Sequence, residues 1–130
     1  MTERRHTLSK EERLSWKRHI DRLFTEGRSF VAFPLRVVYL LSDEEGMPVR
    51  ASFLVSVPKK RFKRAVKRNR IKRQVREAYR MHKYDLWESL EAKDKRMLIA
   101  FLYVDNELHS SVTMEKAMTK AIRILREKEA

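Results

Sequence analysis

KRAVKRNRIKRQVREAYR, residues 63–80, sets nine Lys or Arg side chains into eighteen positions, with Asn69 held between Arg68 and Arg70. Taken at about 100° per residue, Ile71, Val75, Ala78 and His82 fall on one stripe of a helix, and Asn69, Arg73, Arg76 and Arg80 on the opposite one. The first stripe requires a surface to dock on, and the second is left facing outward for a partner. The rest of the chain must therefore supply the layer under this helix.

Upstream, LRVVYLL (35–41) and RASFLVSV (50–57) are rich in β-branched and aromatic residues, and SDEEGMP (42–48) between them is turn chemistry. This predicts a β-hairpin, with Pro34 at a strand start or edge and Pro58 closing the second strand. Before it, Trp16, Ile20, Leu23 and Phe24 recur at helical spacing. Ser9 and Glu12 have capping-box spacing, Ser15 is a later candidate start, and Gly27 is expected to stop the helix in a left-handed conformation after Glu26. Downstream, YDLWESLEAKDK (84–95) reads as a short helix or turn. RMLIAFLYV (96–104) reads as a strand buried on both faces. Met114, Ala117, Met118, Ala121, Ile122 and Leu125 mark a closing helix. The predicted fold is α+β, an α-β-β-α-β-α two-layer sandwich. It forms one domain over residues 1–130, with 1–13 the candidate disordered segment.

The chain has 130 residues and a net charge of +13. Residues 59–80 hold twelve Lys or Arg against one acid, Glu77, while the other 108 carry 19 basic and 17 acidic groups. Such concentration in one element is tolerable when a polyanion or counterions neutralise it. No cysteine is present, which excludes disulfides, thiol catalysis and cysteine-ligated zinc. No apolar run approaches the roughly 20 residues of a membrane span, and the start has no signal-peptide core. These features predict a soluble, cytoplasmic protein.

Catalytic chemistry has little support. His6, His19, His82 and His109 are scattered, and His82 reads as a packing or helix C-terminal residue. Carboxylates cluster only in the SDEEG turn and in ESLEAKD, where the spacing is that of ordinary surface pairs. Two glycines, Gly27 and Gly46, cannot build a phosphate-cradling loop.

A basic helix by itself is compatible with a solvated face or a targeting run. An arginine-dominated face with an embedded Asn favours a polynucleotide, because guanidinium matches phosphate bidentately and Asn donates and accepts at a sugar or base edge. A targeting run would be short and exposed, whereas Ile71, Val75 and Ala78 require docking. Trp16, Phe24 and Tyr39 stand open between core residues and rings that stack unpaired bases.

FLVSVPKK followed by AVKRNRIKRQVREAYR resembles the bacterial ribonuclease P protein subunit. The match lies in Ser56, Val57, Lys59, Lys60, Ala65, Val66, Arg68, Asn69, Arg70, Lys72, Arg73 and Arg76. IDRLFTEGRSF is similar to that family's aromatic-x-x-x-Phe-x-x-Gly first helix, and the likeness extends over most of residues 14–128. The resemblance implies a fold like the second domain of a small-subunit ribosomal protein, with a left-handed strand-helix-strand crossover. It also implies a partner RNA that is itself the catalyst, cleaving the 5′ leader from precursor tRNA with magnesium ions held mainly by RNA.

By position, Lys59, Lys60, Arg61, Lys67, Arg68, Asn69, Arg70, Lys72, Arg73, Arg76 and Arg80 would face RNA, and Ile20, Phe24 and Tyr39 would line the leader cleft. No catalytic side chain, protein-held metal, membrane or DNA partner is expected. Two departures stand out: KKRFKRAV is one residue longer than the usual pattern and lacks its glycine, and Ile20 occupies an aromatic position, which shifts the weight of stacking to Phe24 and Tyr39. The competing readings are a non-catalytic ribosomal or ribosome-assembly RNA-binding protein and, with no helix-turn-helix or heptad signature to support it, a DNA-binding helix.

Overall fold

The computed structural model describes residues 12–42 and 50–128. In chain order these form α1 (Lys17–Glu26), β1 (Arg28–Ala32), β2 (Leu35–Ser42), β3 (Ala51–Ser56), α2 (Ala65–Ala92), β4 (Arg96–Tyr103) and α3 (Ser111–Lys128). The sheet order is β1-β2-β4-β3, with β4 antiparallel to β2 and parallel to β3.

The α+β two-layer architecture is as expected, with one strand more and one pairing different. RSFVA, which carried no strand expectation, forms β1 and makes a real hairpin with β2 through the register Arg28↔Tyr39 to Ala32↔Leu35. The predicted hairpin between 35–41 and 50–57 does not form, because β4 inserts between those strands. Its composition explains the insertion: Met97 to Phe101 are all buried, so β4 needs strands on both edges and layers on both faces. The segment expected to turn between β2 and β3 falls largely at 43–49, outside the described residues.

Alternation along the strands divides the core in two. On one face Leu35, Val37, Tyr39, Phe53, Met97, Ile99, Phe101 and Tyr103 meet Ile71, Val75, Ala78 and Tyr79 of α2 and the stripe of α3. All six residues predicted for the closing helix are buried there. On the other face Leu14 and Leu23 pack on Val38, Leu98 and Ala100. This second cluster is smaller, and leaves Ile20, Leu40, Leu54 and Leu102 only partly buried around it.

Residues 84–92 are not a separate element but the continuation of α2, which at 28 residues runs about 42 Å. His82 consequently lies within the helix rather than at its end, and meets Glu115 of α3 at 3.1 Å. The basic half of α2 is thus the exposed start of a long buried strut. Near the helix middle, the Lys83 ammonium donates to Glu12 Oε1 at 2.8 Å, with both side chains almost wholly buried. Lys83 also sits 4.9 Å from the Trp87 ring centre and 5.2 Å from that of Tyr84. Glu12 lies next to Arg13 and Leu14, which run along the outer edge of β3, where Leu14 N donates to Phe53 O at 2.8 Å. The described part of the N-terminal segment, residues 12 and 13, is therefore anchored, while 1–11 lie outside the described residues, including Ser9 of the expected capping box.

Gly27 ends α1, but not in the left-handed conformation expected: its φ is −71° and its ψ 160°. Close approach is the reason for glycine. A Cβ here would lie 2.3 Å from Leu23 O and 3.0 Å from Tyr39 O. Gly27→Ala should cost about 1–3 kcal/mol, the range for forcing a group into packed surroundings. Urea melts measure it, and a loss under about 0.5 kcal/mol would show that α1 backs away from β2 freely.

Candidate nucleic-acid interface

The strand β3 ends at Ser56, and Pro58 O accepts hydrogen bonds from Arg61 N at 3.1 Å and Phe62 N at 3.3 Å, closing a turn. This is the path of the longer, glycine-free KKRFKRAV segment. Phe62, which the sequence reading passed over, is its anchor: the ring is buried 5.8 Å from that of Tyr103. Arg68 completes the loop by donating to the carbonyls of Phe62 at 2.8 Å and Lys63 at 2.7 Å.

The start of α2 is electrostatically unfavourable as a helix end. Arg64 at the N-cap makes no side-chain cap bond, and the first turn holds no acidic residue. Lys63, Arg64, Lys67, Arg68 and Arg70 instead crowd the positive pole of the helix dipole, where an anion belongs. A bound polyanion would relieve both the dipole and the mutual repulsion, and the free N–H groups of the first turn add donors for phosphate.

The expected RNA-facing residues separate into two groups. Lys59, Lys60, Lys67, Asn69, Arg70 and Arg73 are exposed, and Lys72 and Arg76 are half-buried beside them. Arg61, Arg68 and Arg80 each have a partner within the chain. Arg61 donates to Asn106 Oδ1 at 2.9 Å. Arg68 holds the loop, and Arg80 pairs with Glu77. The Arg80 guanidinium, hydrogen-bonded to Glu77, holds that carboxyl below its ordinary range. Next to this surface lies the β4–α3 loop, where the His109 ring bonded to Asp105 at 2.6 Å lowers the Asp105 carboxyl. Burial pushes the Tyr103 hydroxyl up to about 12, with the Asp105 charge adding to the rise and Arg70 opposing it. Arg70 therefore stands close to this loop as well as on the basic face.

Of the three expected cleft residues, the structure brings together two. Ile20 is half-buried over Leu40, Leu54 and Leu102, and Phe24 is 49% exposed on α1. Tyr39 does not join them. It points to the opposite face of the sheet, is 3% exposed, and packs with its ring centre 5.8 Å from Phe30 in the α2–α3 core. The physical reason is strand alternation: Val38 and Leu40 face α1, so Tyr39 cannot. Trp16, left open by the sequence, is 62% exposed beside the same surface.

A basic, poorly capped helix start on one side of the sheet and a partly uncovered apolar and aromatic patch on the other are the two unusual surfaces of this α+β domain. A family model described as Ribonuclease P matches residues 8–125. The ribonuclease P protein component of Porphyromonas gingivalis strain W83 is 50% identical over 115 residues, spanning 88% of this chain and 83% of that protein. That of Chlorobaculum tepidum is 36% identical over 106 residues, spanning 77% and 69%. Among solved structures, a mutant of the Staphylococcus aureus RNase P protein has a TM-score of 0.71 at 19% identity, with 90% of each chain covered. The Thermotoga maritima RNase P protein has a TM-score of 0.61 at 22% identity, covering 92% of this chain and 99% of that one. The chain belongs to the ribonuclease P protein component family.

Proposed function

We propose that this chain is the accessory protein subunit of a ribonuclease P whose RNA is the catalyst. In this role it binds that RNA and the 5′ leader of precursor tRNA in the cytoplasm, and assists endonucleolytic removal of the leader. The observation that carries the reading is the exposed, arginine-rich start of α2, poorly capped as a helix, together with the partly open face under α1 on the other side of the sheet. Lys59, Lys60, Lys67, Asn69, Arg70, Lys72, Arg73 and Arg76 contact the RNA backbone, while Arg61, Arg68 and Arg80 shape the loop and helix that present them. Ile20, Phe24 and the half-buried Leu40, Leu54 and Leu102 receive the leader.

Among the described residues no group of three His, Asp or Glu side chains could hold a metal ion. Magnesium in this reading is bound by RNA phosphates, and the protein acts on it through charge. A basic surface near those phosphates lowers their repulsion, which strengthens both substrate capture and cation binding.

The test is reconstitution of the protein with the RNA subunit and precursor tRNA at low magnesium. Stimulated 5′ cleavage is expected, and equal stimulation by an unrelated basic protein would return the chain to the ribosomal or assembly reading. Within that assay Phe24→Ala should weaken leader-bearing precursor by about tenfold, the scale of one base–aromatic stack, and leave mature tRNA nearly unchanged. Equal losses for both RNAs would make Phe24 a support for α1 only.

A further inference from the structure

We propose that Trp16 is an additional leader-binding residue that extends the stacking surface of α1 beyond Phe24 and offsets the missing aromatic at Ile20; this rests on the leader-binding reading above. Three observations carry it. Trp16 is a large ring left 62% exposed at the N-cap of α1, where nothing in capping favours tryptophan. One face of that ring is already supported: His19, itself buried, stacks against it with ring centres 5.0 Å apart and planes 28° from parallel. The ring is thereby held in place before any ligand arrives, which lowers the ordering cost of a stack on its free side. Finally, its flanking residues Arg13 and Lys17 are exposed cations, and an aromatic platform among cations is the surface that takes an unpaired base with its phosphate.

Trp16, Ile20 and Phe24 follow one another at i, i+4 and i+8, on one stripe of the helix. Trp16 and Phe24 are then about 12 Å apart along the axis, the length of roughly three stacked nucleotides at about 3.4 Å per step. The two rings therefore meet different nucleotides of the leader, with the aliphatic Ile20 between them. Compared with a groove that stacks at adjacent turns, the footprint on the leader is longer and the binding energy is moved toward its ends.

The reconstituted holoenzyme tests this with precursors carrying a single abasic site at successive leader positions. Trp16→Ala should weaken the intact precursor by about tenfold, and the variant should be indifferent to an abasic site at one leader position. Phe24→Ala should become indifferent at a second position, about three nucleotides away. Trp16→Phe should retain most of the binding. A single-stranded leader oligonucleotide should also quench the fluorescence of the wild-type protein, and not that of Trp16→Phe, in which only Trp87 emits.

If Trp16→Ala lowers binding of leader-bearing and mature RNA alike while Phe24→Ala is leader-selective, Trp16 only supports α1 and the inference falls alone. If neither variant distinguishes the two RNAs, the leader-binding reading falls with it. Unaltered fluorescence in the presence of the oligonucleotide also overturns a direct contact at Trp16.

Discussion

Replacing Lys83 by Met is expected to destabilise the protein by about 3–5 kcal/mol, because it removes one partner of a buried ion pair. That is a fifth or more of the roughly 5–15 kcal/mol that holds a typical domain together. The pair joins residues 71 positions apart at 2.8 Å, in a pocket walled by Tyr84 and Trp87, whose indole Nε1–H donates to the Tyr79 hydroxyl at 3.1 Å. Urea melts at neutral pH measure the loss. The double variant Glu12→Leu, Lys83→Met should recover most of it, since an apolar pair of similar volume replaces both charges. A single-variant loss below about 1 kcal/mol would mean that water reaches the pair and solvates the remaining carboxylate.

This pair also bears on RNA binding. Glu12 belongs to the segment that is held to β3 through Leu14 and then enters α1, so releasing it loosens the seat of the helix that carries Trp16, Ile20 and Phe24. Lys83→Met should therefore weaken binding of leader-bearing precursor more than binding of the RNA subunit, for which the start of α2 is the proposed site.

The second large effect is on RNA affinity. Arg70→Ala with Arg73→Ala removes two exposed guanidinium groups, neither of which bonds to another described residue. At about 1.5–3 kcal/mol per charge-assisted hydrogen bond, binding of the RNA subunit should weaken by at least roughly 100-fold. The log–log salt slope should shrink in magnitude by about 0.7–0.9 for each phosphate that is no longer neutralised. Folding stability should stay level or rise, because alanine is the better helix former and removing two cations lowers the repulsion within the basic run. Reduced affinity with an unchanged slope would remove these side chains from the phosphates. A parallel drop in stability would make them structural.

Arg68 is expected to behave differently from its neighbours, which illustrates how much of the site depended on geometry. In sequence it stands beside Asn69 as one more arginine of the basic run. In the structure its guanidinium holds the carbonyls of Phe62 and Lys63, since those loop carbonyls have no ladder or helix of their own to satisfy them. Periodicity placed Arg68 near the face; only the loop's path decided what it bonds.

Helical periodicity, charge concentration and motif were legible from local information because each is carried by neighbours in the chain. The docked stripe Ile71, Val75, Ala78, the closing helix and the exposed positions Asn69 and Arg73 follow from a 3.6-residue repeat that the fold does not alter, whereas Arg76 and Arg80 of the same outward stripe are half-buried. Strand pairing was different. Segments 35–41 and 50–57 have the composition of hairpin partners, yet their edges are equally able to pair with 96–103, and that choice rests on pairings more than forty residues apart. The face of each strand residue was also undetermined, because both faces of this sheet are apolar and alternation alone names no inside. Tyr39, placed in the leader cleft by the resemblance and left open between core and stacking by its own pattern, lies on the second face of the sheet, in the core.

The amino-acid sequence by itself determined the basic helix, the α+β class and the family, since those depend on local pattern and on a long contiguous motif. The tertiary structure alone decided that β4 divides the expected hairpin, that Glu12 and Lys83 meet, and that α1 turns His19 and Leu23 inward while leaving Trp16 and Phe24 in solvent. Trp16, Ile20, Leu23 and Phe24 fall within an arc of about 100° on this short helix, but its seat, the narrow patch of Val38, Leu98 and Ala100, covers only part of that arc.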